Sequence, residues 1–226
     1  MNIPPSILYA GPFVLFVALL PLQRMLPWPP LWLNLGYVAV MLLALATVWR
    51  RIPDLQSDKL ALRNWFGSVA IGVIVFVAWV VPDRLFPGYR HNILFENFLM
   101  GATTAGLSEA ARTQPFVLWL RAFRAVIIVP IVEELFWRAW MMRWIIVPDF
   151  LSIPLGTWSA RAFWVVALLF AAEHGPMWDA GLFAGVLYNW WMVRTRSLGD
   201  LILVHAISNA CISIYVVAAG RWEYWS

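Results

Sequence analysis

The side chains able to do chemistry in this chain sit in three short motifs. The first is Val-Glu-Glu-Leu-Phe-Trp-Arg at 132–138. Glu134 and Arg138 are four residues apart, so on a helix they share a face and can pair, while Glu133 is turned about 100° away and keeps its carboxylate for another task. The second motif is Phe-Ala-Ala-Glu-His-Gly-Pro at 170–176, in which Phe170 and His174 stand one helical turn apart and Gly-Pro ends the helix just after the imidazole. The third is His-Ala-Ile-Ser-Asn at 205–209, which sends His205 and Asn209 from one helical face into the same space. Imidazole and carboxamide can both donate to a developing oxyanion, where loss of one donor typically lowers a rate by about 10² to 10³. Each motif also has an inert reading. The glutamates and Arg138 can form a buried ion network that fixes helix packing. His174 can be a helix cap, and His205 with Asn209 can be interhelical hydrogen bonding, worth about 0.6 kcal/mol on average in membranes.

What must position these groups is a set of membrane helices. The 226 residues are 62% hydrophobic and 12% charged, against about 25% charged in soluble domains, and the mean hydropathy is +0.75. Apolar runs at about 6–26, 31–49, 64–82, 115–146, 160–174, 179–194 and 198–219 predict an all-α, multi-pass integral membrane protein, a single domain of seven or eight helices. The fourth run would span about 48 Å at 1.5 Å per residue, against a hydrocarbon core of about 30 Å, so it should tilt, protrude or break near Pro130. The first run follows no basic segment and no small-residue cleavage site, and is expected to be a retained span. Residues 91–100 are expected to form an interfacial helix with Ile93, Leu94, Asn97, Phe98 and Leu99 loosely one-sided.

Charge and aromatic placement agree with that class. Arg50, Arg51, Lys59, Arg63, Arg143, Arg161, Arg194 and Arg196 should share one membrane face, and Arg84, Arg90, Arg112 and Arg121 the other, which slightly favours an inside N-terminus. The net charge of +4 is arginine at span ends, with no basic block or nucleic-acid motif, so no nucleic-acid partner is expected. Of the sixteen tryptophans, Trp28, Trp32, Trp49, Trp65, Trp119, Trp144, Trp222 and Trp225 should lie near span ends, and Trp137, Trp140, Trp190 and Trp191 in the core. Cys211 is the only cysteine, which excludes an intramolecular disulfide and a cysteine metal cluster. Glu173 is expected to reach interfacial water. Tyr188 and Asn189 either line a cavity or are packed polar residues.

A chain with only three histidines places two of them in late apolar helices alongside Asn209 and the paired glutamates. The ordered set Glu-Glu-x-x-x-Arg (Glu133, Glu134, Arg138), Phe-x-x-x-His (Phe170, His174) and His-x-x-x-Asn (His205, Asn209) resembles the motifs of the CPBP (ABI) intramembrane proteases, which include the type II CAAX prenyl endopeptidases. The resemblance covers residues 115–219, a CPBP-like catalytic core following N-terminal spans and polar connections over 1–114. It implies helices enclosing a conical, water-accessible polar cavity. It further implies that Glu133 and His174 activate water, that His205 and Asn209 stabilise the oxyanion, and that Glu134, Arg138 and Phe170 support them.

The implied substrate is a membrane-anchored peptide or protein within the lipid bilayer, including prenylated CAAX tails among relatives. Other relatives act in immunity or scaffolding, so a noncatalytic membrane binding protein is the alternative reading. A transporter fits less well, because the early spans hold almost no ionisable groups and no inverted repeat is evident. Glu133, His174 and His205 would suffice for a catalytic zinc, but His-Glu-x-x-His is absent and no two histidines share a helix, which favours a mechanism without a metal cofactor.

Overall fold

The computed structural model describes residues 3–101 and 107–225. Each apolar run forms a helix: α1 Pro5–Met25, α2 Pro30–Trp49, α3 Trp65–Leu85, α4 Pro115–Trp144, α5 Ala160–Glu173, α6 Trp178–Thr195 and α7 Leu198–Ala219. Proline opens α1, α2 and α4, where its fixed φ suits a first turn and its missing N–H is no loss. Asn64, Ser159 and Ser197 cap α3, α5 and α7, accepting from the backbone N–H of Gly67 (3.0 Å), Ala162 (3.4 Å) and Asp200 (3.0 Å).

Five of these helices, α1 to α4 and α7, are long and apolar enough to cross a membrane. The chain is therefore an all-α, multi-pass integral membrane protein. The fifth and sixth apolar runs fall short of that measure. At 14 residues α5 reaches about 21 Å, and α6 contains Asp179, Tyr188, Asn189 and Arg194. Both are packed into the bundle, α6 chiefly against α5 and α7 chiefly against α3.

The long fourth run does not break at Pro130. It stays helical from Pro115 to Trp144 but widens into π turns at Arg124–Ile128 and Leu135–Met141, on either side of the proline and the glutamates. In the first π turn the Val129 N–H bonds to the Arg124 carbonyl five residues back. Pro130 has no N–H for the next carbonyl in that register, Ala125, and Asn209 Nδ2 donates to it instead at 2.8 Å.

Polar latches hold the two ends of the bundle. At one end the Asp200 carboxylate accepts the backbone N–H groups of Arg63 (2.8 Å) and Asn64 (3.1 Å) and the Ser68 hydroxyl (3.1 Å), tying the start of α3 to the start of α7. Asp54 pairs with Arg143 at the end of α4 and accepts from Tyr9 of α1 at 2.7 Å. At the opposite end Arg90 pairs with Asp83 and Asp179, and the Tyr224 hydroxyl donates to Asp83 at 2.9 Å. Burial, with this hydrogen bond, pushes the Tyr224 phenol well above its ordinary pKa, so it stays protonated.

Two local expectations are corrected. Residues 91–100 form turns rather than an interfacial helix, because the Asn92 carboxamide accepts from Leu94 N (2.9 Å) and that of Asn97 from Leu99 N (2.9 Å) and Met100 N (3.0 Å), bonds that replace helical ones. Ile93, Leu94, Phe98 and Leu99 are left on the outer surface. Trp190 faces outward rather than into the core.

Candidate active site

His174 caps α5. Its Nδ1 lies 2.6 Å from the carbonyl of Phe170, one of the last four carbonyls that a helix leaves without an internal donor. A carbonyl can only accept, so Nδ1 carries the proton and Nε2 is the ring atom left for other chemistry. Two glycines make room for this arrangement. Gly175 turns the chain with φ at +52°, a conformation that favours glycine, and a side chain on Gly181 of α6 would come within 3.0 Å of the imidazole. The ring also meets Phe170 at 4.7 Å and Trp79 of α3 at 5.2 Å.

The paired glutamates divide their tasks. Glu134 is fully buried and accepts twice from Arg138 Nη1, at 3.2 and 3.1 Å, as helical spacing predicts. It also meets His205 Nδ1 at 2.7 Å, which couples α4 to α7. Arg138 Nε donates to Asn189 Oδ1 at 2.9 Å, and Asn189 Nδ2 donates to the Phe163 carbonyl at 2.8 Å, adding α6 and α5 to the network. The Arg138 guanidinium lies 4.2 Å from the Phe170 ring centroid and 5.2 Å from that of Tyr188, an attraction that offsets the lack of an acceptor for Nη2. Phe170 is thus a shared wall for Arg138 and His174.

Glu133 has no such commitments. It is buried, and its Oε2 has no hydrogen-bond partner. With His174, His205 and Asn209 it lines one cavity of about 220 Å³, whose wall also includes Phe16, Leu20, Trp79 and Val129. The side chains expected to act together thus come to one space from three different helices, α4, α5 and α7. Another cavity, of about 250 Å³ among Asp83, Arg84, Arg90, Arg221 and Glu223, holds none of them.

Residues 115–211 match the family of Rce1-like type II CAAX prenyl endopeptidases. No curated protein and no solved structure matches the chain. The Rce1-like stretch starts at the first residue of α4 and contains all three motifs, so the CPBP/Rce1-like resemblance read from Glu133, Glu134, Arg138, Phe170, His174, His205 and Asn209 holds over this part of the chain.

Within the Rce1-like stretch some neighbours were not foreseen. Asn189 bridges Arg138 to α5 and Tyr188 exchanges a hydrogen bond with Ser208 at 2.7 Å, so both are packed polar residues rather than cavity walls. Glu173 is exposed on the bundle surface but accepts from the Trp137 indole at 3.0 Å. Sequence spacing could not reveal the Glu134–His205 contact or the Asn209–Ala125 bond, because each joins residues more than seventy positions apart. Among the described residues, no three His, Cys, Asp or Glu side chains group closely enough to hold a metal ion.

Proposed function

We propose that this protein is an intramembrane endopeptidase that hydrolyses a peptide bond of a membrane-anchored substrate with water activated by Glu133 and His174. The observation that carries the reading is the convergence of Glu133, His174, His205 and Asn209 on one cavity, with a Glu133 oxygen lacking any protein partner. A buried acceptor of that kind calls for a hydrogen-bond donor, and water is the donor a hydrolase needs.

In this scheme Glu133 takes a proton from water as its oxygen adds to the scissile carbonyl carbon, with His174 Nε2 accepting a second hydrogen bond from the same water. The oxyanion that forms is met by Asn209 and His205. Asn209 uses one amide hydrogen on Ala125, which leaves the other for the oxyanion. His205 donates from Nε2 only when both ring nitrogens are protonated, since Nδ1 already faces Glu134. Collapse of the tetrahedral species breaks the C–N bond, and the proton held by Glu133 passes to the leaving amine. The products are a carboxylic acid and a free amine.

The Rce1-like match supports a prenylated tail as one candidate substrate. Glutamate chemistry without a metal is the preferred form of the mechanism. The test is a cleavage screen of purified protein in proteoliposomes against prenylated and unmodified C-terminal peptides, with Glu133→Gln alongside. Cleavage by the wild type that the variant lacks supports the reading. A protein that cleaves nothing while still folded would favour a noncatalytic binding or scaffold role.

A further inference from the structure

Two cavities of opposite chemistry meet at the C-terminal end of α3, away from the candidate active site. The first, of about 250 Å³, is polar, with Asp83, Arg84, Arg90, His91, Arg221 and Glu223 in its wall. The second is a groove of about 440 Å³ between α3 and α6, lined chiefly by Ile74, Val77, Ala78, Val81 and Phe183, with Asp179 as its one charged residue among those described. Arg90 joins the two. It is buried at 3% exposure on the wall of the first, pairs with Asp83 there, and pairs with Asp179 of the second at 3.0 Å. Charge in the polar cavity is unevenly satisfied. Arg221 pairs with Glu223, whereas Arg90 is shared by two carboxylates, which leaves a negative charge in surplus. Arg90 and the Tyr224 hydroxyl both bond to Asp83 Oδ2, and Oδ1 takes no hydrogen bond among the described residues. The neighbouring Arg84 is exposed and has no ion pair, hydrogen bond or ring contact among the described residues. One cavity thus offers an open guanidinium beside an open carboxylate oxygen.

The order of the two cavities along α3 is that of a phospholipid. This helix is long and apolar enough to cross a membrane, Asp83 and Arg84 stand in its last turn, and the groove residues Ile74 to Pro82 come just before them. The polar cavity therefore lies at the level of lipid headgroups, and the groove, about 12 Å long at 1.5 Å per residue, at the level of acyl chains. We infer that the two cavities form one site for a phospholipid with a primary-amine headgroup, whose phosphodiester meets Arg84, whose ammonium meets Asp83 Oδ1 and whose acyl chain fills the α3–α6 groove. The planar guanidinium suits phosphate, and an ammonium carries N–H donors that a carboxylate oxygen can accept. A quaternary ammonium has no N–H for Asp83, and a headgroup without a cation leaves the surplus carboxylate unanswered. The site draws on α3, the turn at Arg90 and His91, α6 and the C-terminal segment at Arg221 and Glu223, so a bound lipid ties four segments together. It includes none of Glu133, His174, His205 and Asn209, and it does not depend on the endopeptidase reading.

The experiment uses the purified full chain, delipidated in detergent, with palmitoyl-oleoyl phosphatidylethanolamine, phosphatidylcholine or phosphatidylglycerol added in equal amounts. Native mass spectrometry counts the lipid retained, and thermal unfolding reads the stabilisation. The expected result is retention of a single phosphatidylethanolamine per chain and a rise in thermal midpoint of about 5 °C, at least about threefold the rise given by either other lipid. Phosphoethanolamine without acyl chains should give no rise at the same concentration, which separates a lipid site from a site for a free phosphate ester. Arg84→Gln removes the phosphate contact and Ala78→Phe fills the groove, and each should abolish the preference while the lipid-free midpoint stays near that of the wild type. If Ala78→Phe does not fold, Arg84→Gln and the comparison of lipids still decide the matter. An equal response to all three lipids, or an undiminished ethanolamine preference in Arg84→Gln, would overturn the site. So would a preference for phosphatidylglycerol, which would leave Asp83 without a part, or a full response to phosphoethanolamine alone, which would leave the groove without one.

Discussion

Glu134 Oε1 lies 2.7 Å from His205 Nδ1, so the carboxylate that pairs with Arg138 on its own helix also orients an imidazole of α7. Of two adjacent glutamates, one is thus bound into the bundle and the other is open to the cavity. This division predicts opposite phenotypes for the same chemical change. Glu134→Gln leaves the fully buried Arg138 without a countercharge, an effect of about 3 to 5 kcal/mol, and should lower the thermal midpoint in detergent by roughly 10 °C. Glu133→Gln should leave that midpoint almost unchanged. Equal melting behaviour of the two variants would count against the division.

Activity should follow the reverse order. Glu133→Gln and His174→Ala are expected to lower peptide cleavage by about 10² to 10⁴, the usual share of general acid–base catalysis. Asn209→Ala should retain more activity, with a loss of about 10² to 10³ typical of one oxyanion donor. Initial rates in proteoliposomes, normalised to folded protein, check this order.

Asn209 also has a structural task, because it supplies the hydrogen bond that Pro130 withholds from Ala125. Asn209→Ala should therefore destabilise the protein by about 1 to 3 kcal/mol, the cost of a buried unsatisfied carbonyl. Pro130→Ala restores an N–H to the helix. In the double variant the stability loss should be smaller than in Asn209→Ala alone, while activity stays low. Thermal unfolding of the two single variants and the double variant measures this coupling. Strict additivity would show that the proline and the asparagine act independently.

The imidazole of His174 has little room to move. A methyl group at Gly181 would come within 3.0 Å of Nδ1 and 3.1 Å of Cβ and Cγ of His174, so Gly181→Ala should displace the ring by a few tenths of an ångström. Small displacements of a reacting group are expensive, and a loss of about tenfold in kcat is expected with KM and thermal midpoint little changed. Unchanged kcat would argue against a role for His174 in the chemical step.

Metal dependence is open to a direct test. Prolonged dialysis against EDTA and 1,10-phenanthroline should leave cleavage at its starting rate, and elemental analysis of active protein should find far less than one zinc per chain. Loss of activity that returns on adding zinc would overturn the metal-free form of the mechanism.

Much of the architecture was legible in the chain itself. Runs of apolar residues place each helix to within a few residues, and five of the runs are of spanning length, because a bilayer requires its backbone groups to be bonded within a segment and its side chains to be apolar. The Glu134–Arg138 pair follows from the same local geometry, since four residues make one helical turn. Where side chains compete locally with the helix, as Asn92 and Asn97 do, hydropathy alone misleads.

By itself, then, the sequence determined that this is an all-α membrane protein and which few polar groups its helices carry. Only the tertiary structure decided that Glu134 reaches His205, that Asn209 answers Pro130 through Ala125, and that His174 and Asn209 share a cavity with Glu133. The physical reason is range. Helix formation and membrane insertion depend on neighbours within a turn or a span, whereas the meeting of side chains from separate helices depends on crossing angles and close packing that no local pattern encodes.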